Sequence, residues 1–228
     1  PLIQILNAKG YVISGSDVLD GSIIRYEREM GVKVSLGHNA DNVVGADMVV
    51  YSAAISKDNV ELNAAASYGI PTVERSVLLG YVSRLYKQSI CVSGTHGKTT
   101  TTSMVSEILL HAGTDPTLSI GGMLKSIGGN IRVGSTDVFV TEACEYTNSF
   151  LSFFPRIGMI LNIEEDHLDF FKDLEDIRNS FHKFAKLLPA DGCLIINGAI
   201  DRLQEITGDL DCRVITFNKE AVNSDGSA

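Results

Sequence analysis

Apolar and polar residues alternate along this chain in short blocks, and the period of the blocks changes in a regular order. Residues 1–9 read as the back half of a helix closed by Gly10. Residues 11–14 read as a short strand, with Gly15-Ser16-Asp17 as a polar turn at its C-terminal end. A helix over 22–30 ending at Gly31, strands over 32–36 and 47–52, and an alanine-rich helix over Val60–Tyr68 ending at Gly69 continue the series. After Pro71, Val77, Leu78, Tyr81, Val82 and Leu85 are spaced for one apolar helix face. Strand, turn and helix in alternation predict a parallel sheet with helices on its faces, a Rossmann-like domain over residues 1–88. Its first strand and glycine loop are expected upstream of Pro1, so the chain reads as a fragment cut in the first helix.

From residue 89 the alternation starts again. Ile90-Cys91-Val92-Ser93 is an apolar strand, Gly94-Thr95-His96-Gly97 a glycine-gated turn, and 99–111 a helix introduced by Lys98. Beyond it come the turn Gly113-Thr114-Asp115-Pro116, a strand over 118–120, the glycines Gly121-Gly122 and a loop with Gly128-Gly129-Asn130. A strand over 137–141 delivers Glu142-Ala143-Cys144-Glu145 at its C-terminal end. Another over 157–161 delivers Asn162-Ile163-Glu164-Glu165-Asp166-His167-Leu168-Asp169. Leu174, Ile177, Phe181, Phe184 and Leu188 fall at i, i+3, i+7, i+10 and i+14, the core stripe of a helix closed by Pro189. Strands over 193–196 and Arg213–Phe217 follow, then a polar tail expected to fray. The expected fold class is α/β: a truncated Rossmann-like N-terminal domain, then a P-loop domain over 89–228 with a mainly parallel sheet. All strand C-termini of such a sheet lie on one edge, so the glycine turn and both acidic segments should converge there.

Composition narrows the function classes. The 228 residues, 44% hydrophobic and 21% charged, describe a soluble globular protein of one and a half to two domains. No apolar run approaches a membrane span and no signal peptide opens the sequence, so no membrane partner is expected and the cytoplasm is the default. A net charge of −9 without a Lys/Arg cluster argues against nucleic acid. Cys91, Cys144, Cys193 and Cys212 are scattered and form no C-x-x-C pair, which fits reduced thiols.

The candidate chemistry is that of a polyphosphate. A glycine turn leading into a helix aims backbone N–H groups and the helix dipole at one point. Lys98 would reach the β- and γ-phosphates, and the Thr99 hydroxyl would hold magnesium. The pattern is G-x-x-G-K-T-T with Val92 in place of the first glycine of G-x-x-x-x-G-K-[ST], a variant P-loop. A chance Lys-Thr pair in a glycine turn is the competing reading, and strand before and helix after weigh against it. Glu142 is a plausible second magnesium ligand, and His167, beside an acidic run, can complete another cation site or orient a carboxylate. His111 and His182 are explained by their helices, His38 as a loop histidine, and Cys144 as a small packing residue. Ser14-Gly15-Ser16-Asp17 and Ser52-Ala53-Ala54-Ile55 lie at strand ends where a ligand is expected, and are equally ordinary turn chemistry.

Three motifs together, Gly94-Thr95-His96-Gly97-Lys98-Thr99-Thr100, Glu142-Ala143-x-Glu145 and Asn162-x-x-x-Asp166-His167-Leu168-Asp169, resemble the Mur ligases over nearly the whole chain. His96, where many sister ligases carry Asn, favours the alanine-adding branch. The resemblance implies ATP-dependent amide-bond formation in peptidoglycan precursor synthesis: ATP phosphorylates the lactyl carboxylate of UDP-N-acetylmuramic acid, and the amine of L-alanine attacks the acyl phosphate. It implies ATP binding by Gly94 to Thr100, with Lys98, Glu142 and His167 catalytic. Thr99 and Glu142 would hold one Mg2+ and His167 a second. His96 and Glu145, with Ser14, Ser16, Asp17, Ser52 and Ala53 of the first domain, would bind the sugar nucleotide. Cys144 departs from the family, where many relatives have Asp. The resemblance also predicts more central domain and a third domain beyond this sequence, so the chain alone is not expected to turn over. Within the fold, a ligase that reattaches a recovered tripeptide to the same sugar nucleotide remains an alternative; outside it, a P-loop switch or a sugar-nucleotide binding module does.

Overall fold

The computed structural model describes residues 2–218; Pro1 and the tail expected to fray, 219–228, lie outside the described residues. The chain forms two compact units that divide between Leu78 and Leu79. The elements of the first are α1 (Leu2–Ala8), β1 (Ser14–Asp17), α2 (Ser22–Glu29), β2 (Lys33–Leu36), β3 (Val49–Tyr51), α3 (Val60–Tyr68) and β4 (Thr72–Glu74). β1 pairs with β2 and β3 with β4, both in parallel, and among the described residues these are two separate pairs.

The first strand differs from the expectation. Residues 11–13 do not form it: Gly10 is left-handed (φ +86°) and the Tyr11 N–H donates to Leu6 O, so Tyr11 still belongs to the close of α1. Val12 lies fully exposed. Pairing begins at Ser14, opposite Lys33, which places Ser14, Ser16 and Asp17 on the strand itself rather than on a turn after it. The apolar Tyr-Val-Ile run imitated a strand, whereas register with β2 decides where pairing occurs. β4 was hidden by Pro71, whose carbonyl accepts the Val49 N–H and starts the β3–β4 ladder.

The second unit is built on one seven-stranded sheet. Its elements are β5 (Gln88–Ser93), α5 (Lys98–His111), β6 (Thr117–Leu124), β7 (Gly129–Arg132), β8 (Val138–Glu142), β9 (Ile157–Ile160), α6 (Leu174–Ala185), β10 (Cys193–Asn197), α7 (Gln204–Thr207) and β11 (Arg213–Phe217). The strand order is β11-β10-β9-β5-β8-β6-β7, parallel throughout except for β7 at one edge. β7 corrects the expected loop around Gly128-Gly129-Asn130: Gly128 (φ +63°) makes the turn, and Gly129 already pairs with Leu124. β5 lies between β8 and β9 with Val92 opposite both Glu142 and Met159, so three strands end level with one another.

Helix α4 (Arg75–Ser83) carries the division between the units. Tyr81 and Leu85 of its expected apolar face are exposed, while Val82 and Ser83 are buried. Ser83 Oγ donates to Gly80 O (2.6 Å) and accepts the Phe154 N–H (2.9 Å), so polar satisfaction rather than apolar spacing sets the buried face. The α6 stripe is as expected: Ile177, Phe181 and Phe184 are buried, and Asp173 caps the helix through the Asp176 N–H. Phe150 stacks on Phe184 (4.9 Å) and meets Phe181 edge-on (5.4 Å), the centre of the core on that side of the sheet. A second cluster of Ile90, Leu118, Ile120, Leu124 and Val140 packs with Val105 and Leu109 of α5. No described helix is long and apolar enough to cross a membrane.

Candidate active site

β5 is buried from Ser89 to Ser93, and it ends in a turn that only glycine can open. Gly94 has φ +141°, and a Cβ there would lie 3.0 Å from Leu161 Cβ and 3.1 Å from Leu161 N. The turn is stitched to the segment after β9. Thr95 N–H donates to Asn162 O (3.2 Å) and His96 N–H to Asn162 Oδ1 (2.7 Å). In return Asn162 Nδ2 donates to His96 O (3.0 Å) and the Glu164 N–H to Thr95 Oγ1 (2.9 Å). The backbone donors of Thr95 and His96 are thus committed within the protein. The first bond of α5 runs from Thr101 N–H to Gly97 O, so the N–H groups of Lys98, Thr99 and Thr100 are among those left to meet an anion. Thr99 and Thr100 border a groove lined by Met104, Ile108 and Met123.

Lys98 is held in place by carbonyls and one carboxylate. Its ammonium donates to Gly94 O (2.6 Å), Thr95 O (3.2 Å) and both oxygens of Glu145 (3.1 and 3.0 Å). Glu145 is only 2% exposed. Glu145, expected on sequence grounds at the substrate, here pairs with Lys98.

Glu142, the last residue of β8, meets the first turn of α5. Thr99 Oγ1 donates to Glu142 Oε2 (3.1 Å) and the Gly121 N–H to Oε1 (2.5 Å). A Cβ on Gly121 would stand 2.6 Å from Oε2, so the carboxylate keeps this position only above a glycine. Gly121, expected only as one of a glycine pair after a strand, and Asn162, expected only as a position of the third motif, both bond to these loops. The available signals were a glycine pair inside an apolar strand and an Asn at a strand's C-terminal end.

His167 is left-handed (φ +52°), which is uncommon for a residue with a Cβ. Its Nε2 lies 3.9 Å from Glu145 Oε1 and 3.8 Å from Asp166 Oδ2. Glu145 therefore touches both Lys98 and His167, and the P-loop, the β8 loop and the β9 loop meet at one edge. His96 is exposed, with Nε2 3.7 Å from Glu164 Oε2, and Cys144 is exposed rather than packed. Among the described residues no group of three or more His, Cys, Asp or Glu is arranged to hold a metal unaided. The Thr99–Glu142 oxygen pair at a helix N-terminus nevertheless fits magnesium, which takes one or two protein oxygens and completes its shell from phosphates and water.

In the first unit, Ser16 Oγ donates to Glu61 Oε2 (2.7 Å) and lies 3.1 Å from His38 Nδ1. Glu61 also accepts Asn42 Nδ2 (2.6 Å) and the Asn39 N–H (3.2 Å). Burial pushes the Glu61 carboxyl up, but these hydrogen bonds and the neighbouring His38 outweigh it and hold the group below its ordinary value. Asp17 Oδ1 accepts the Leu19 N–H (2.9 Å) in a local turn. Ser14 is exposed at the start of β1, and Ser52 O accepts the Ile55 N–H to close the turn holding Ala53. Ser16 and His38 are brought together; Ser14, Ser52 and Ala53 stand outside that network.

Residues 92–227 match the Mur ligase middle domain, and residues 1–87 match the Mur ligase family, catalytic domain. The chain is 53% identical over all 228 residues to UDP-N-acetylmuramate--L-alanine ligase of Lachnospira eligens, covering 50% of that protein. It spans about half the length of the curated relatives it matches. Among solved structures it is similar to UDP-N-acetylmuramate:L-alanyl-gamma-D-glutamyl-meso-diaminopimelate ligase from Neisseria meningitides (TM-score 0.85, 28% identity, 99% of this chain and 78% of that one). It is also similar to UDP-N-acetylmuramate-alanine ligase from Thermotoga maritima (TM-score 0.77, 28% identity, 96% and 50%).

Proposed function

The chain belongs to the Mur ligase family, and from that premise we propose that its parent protein joins L-alanine to UDP-N-acetylmuramic acid with ATP, in the cytoplasm, for peptidoglycan synthesis. The observation that carries the chemistry is the meeting of Lys98, Thr99–Glu142 and Glu145–His167 at one sheet edge. In-line phosphoryl transfer demands positioning and charge neutralisation, and this edge supplies both. The N–H groups opening α5 and the Lys98 ammonium receive the phosphates. The substrate carboxylate attacks the γ-phosphorus, ADP leaves, and the amine then attacks the acyl carbon, expels phosphate and gives up a proton to form the amide. Thr99 and Glu142 would hold Mg2+, with His167 contributing to a second cation, and the ion supplies charge neutralisation on the transferring group. His96 faces the sugar nucleotide in this reading, and Ser14, Ser16, Asp17, Ser52 and Ala53 contact its UDP part.

The choice of L-alanine rests on the names of relatives near half identity. The tripeptide-recycling reading is favoured by one observation, the likeness to the Neisseria ligase. Phosphate release from ATP by the full-length parent, with Mg2+ and UDP-N-acetylmuramic acid, separates them. Release dependent on L-alanine is expected; release only with tripeptide would reassign the acceptor, and release indifferent to the sugar nucleotide would end both readings.

A further inference from the structure

The loop after β8 carries a side chain that the chemistry above does not use. Tyr146 follows Glu145 directly and opens a short 3-10 segment, Tyr146–Ser152. Its ring lies over the His167 imidazole, with centroids 4.5 Å apart and planes tilted by 33°. Its hydroxyl donates to Asp169 Oδ2 at 2.7 Å, and its ring meets Phe170 edge-on at 6.1 Å. Tyr146 thereby touches three of the four residues from His167 to Phe170. It is 38% exposed and Phe170 43%, so this is no part of the hydrophobic core.

The contacted segment is one that needs holding. His167 sits at φ +52°, and its backbone is fixed by the Phe170 and Phe171 N–H groups on His167 O (both 2.9 Å) and by its own N–H on Asp166 Oδ1 (2.7 Å). Those bonds set the main chain and leave the imidazole free to change rotamer. The tyrosine ring lies against one face of the imidazole, and Nε2 lies beside Glu145 and Asp166.

We propose that Tyr146 is a positioning residue for His167, so that one loop sets both the carboxylate partner of Lys98 and the orientation of the histidine. The inference rests on the ligase reading, in which His167 contributes to a cation site. It is tested in the full-length parent with Tyr146→Phe, Tyr146→Ala, Tyr146→Leu and His167→Ala. NMR of the metal-free protein follows the His167 ring protons, and paramagnetic resonance gives the Mn2+ midpoint with ATP present. Replacing an orienting neighbour of a metal ligand raises that midpoint, and lowers kcat, by about tenfold in Tyr146→Ala, with KM for ATP moving less than about twofold. Tyr146→Phe keeps the ring and stays within about threefold of the parent on the same scale. The ring-current shift of His167 disappears in Tyr146→Ala and Tyr146→Leu; the leucine variant keeps the test valid if alanine impairs folding. Unchanged His167 shifts, or a Mn2+ midpoint that moves in His167→Ala but not in the Tyr146 variants, would overturn the inference alone. A midpoint unmoved in His167→Ala would remove the cation role of His167 and the inference with it.

Discussion

The edge of the seven-stranded sheet and the edge of the β1–β2 pair present similar side chains, and they hold them differently. In the larger sheet, the strands leading to the site are buried: β5 from Ser89 onward and β8 at Phe139, Val140 and Thr141. The loops they release are tied to one another through Asn162, Thr95 and Glu145. β1 and β2 are half-exposed four-residue strands, and their polar residues converge on a single carboxylate, Glu61. A site can be no more rigid than the strands behind it; under the proposed function, phosphate chemistry would use the firmer first edge and ligand recognition the second.

Breaking the tighter edge at its centre has the largest expected effect. In the full-length parent, Lys98→Ala should lower turnover by about 10³-fold, since under the proposed function it removes the cation that would face the transferring phosphate. It also strands the buried Glu145 carboxylate, with a stability loss of about 3 kcal/mol. Adding Glu145→Gln should restore the denaturation midpoint and leave turnover lost. A single mutant that melts like the parent would contradict the buried pairing.

Gly94→Ala comes next. Left-handed backbone and the Leu161 contact together should cost about 2–3 kcal/mol. Calorimetric titration with ATP should show binding weakened in the same variant. Gly121→Ala is milder for folding, because its Cβ meets the far end of the Glu142 side chain. The Mg2+ midpoint of turnover should rise about tenfold, while stability changes by less than about 0.5 kcal/mol.

The smallest effects are acid-induced and compare the two units directly. Glu61 is held below its ordinary 4.5, so its contribution is present above that pH and lost as pH falls through the lowered value. Hydrogen bonds from Ser135 and Arg132 hold Asp115 at about 2 against an ordinary 3.8, so its share persists to more acid conditions and fades between those two values. Far-UV dichroism against pH should show Glu61→Gln flattening the earlier loss and Asp115→Asn the later one. Identical curves for the two variants would show that the units do not unfold separately in acid.

The amphipathic stripe of α6, the strand-turn-helix around Lys98 and the acidic ends of β8 and β9 were legible because each is a local pattern with a fixed period or spacing. β1 was misplaced by three residues because exposed Tyr11-Val12 has the composition of a strand while its backbone closes a helix. β7 is expected as a loop from sequence, since Gly128-Gly129 looks like a turn until Gly129 pairs with Leu124, and the contact of Gly121 with Glu142 joins residues 21 apart.

The α/β alternation, the glycine turn before Lys98 and the identity of the candidate groups for phosphate and magnesium all follow from neighbours within a few residues. The pairing of Glu145 with Lys98, the bonds from Asn162 to the turn and the contact of Tyr146 with His167 come from the folded arrangement alone. The pairs Lys98–Glu145, His96–Asn162 and Tyr146–His167 are 47, 66 and 21 residues apart in sequence, and their distances are set by strand order and register, which no local pattern encodes.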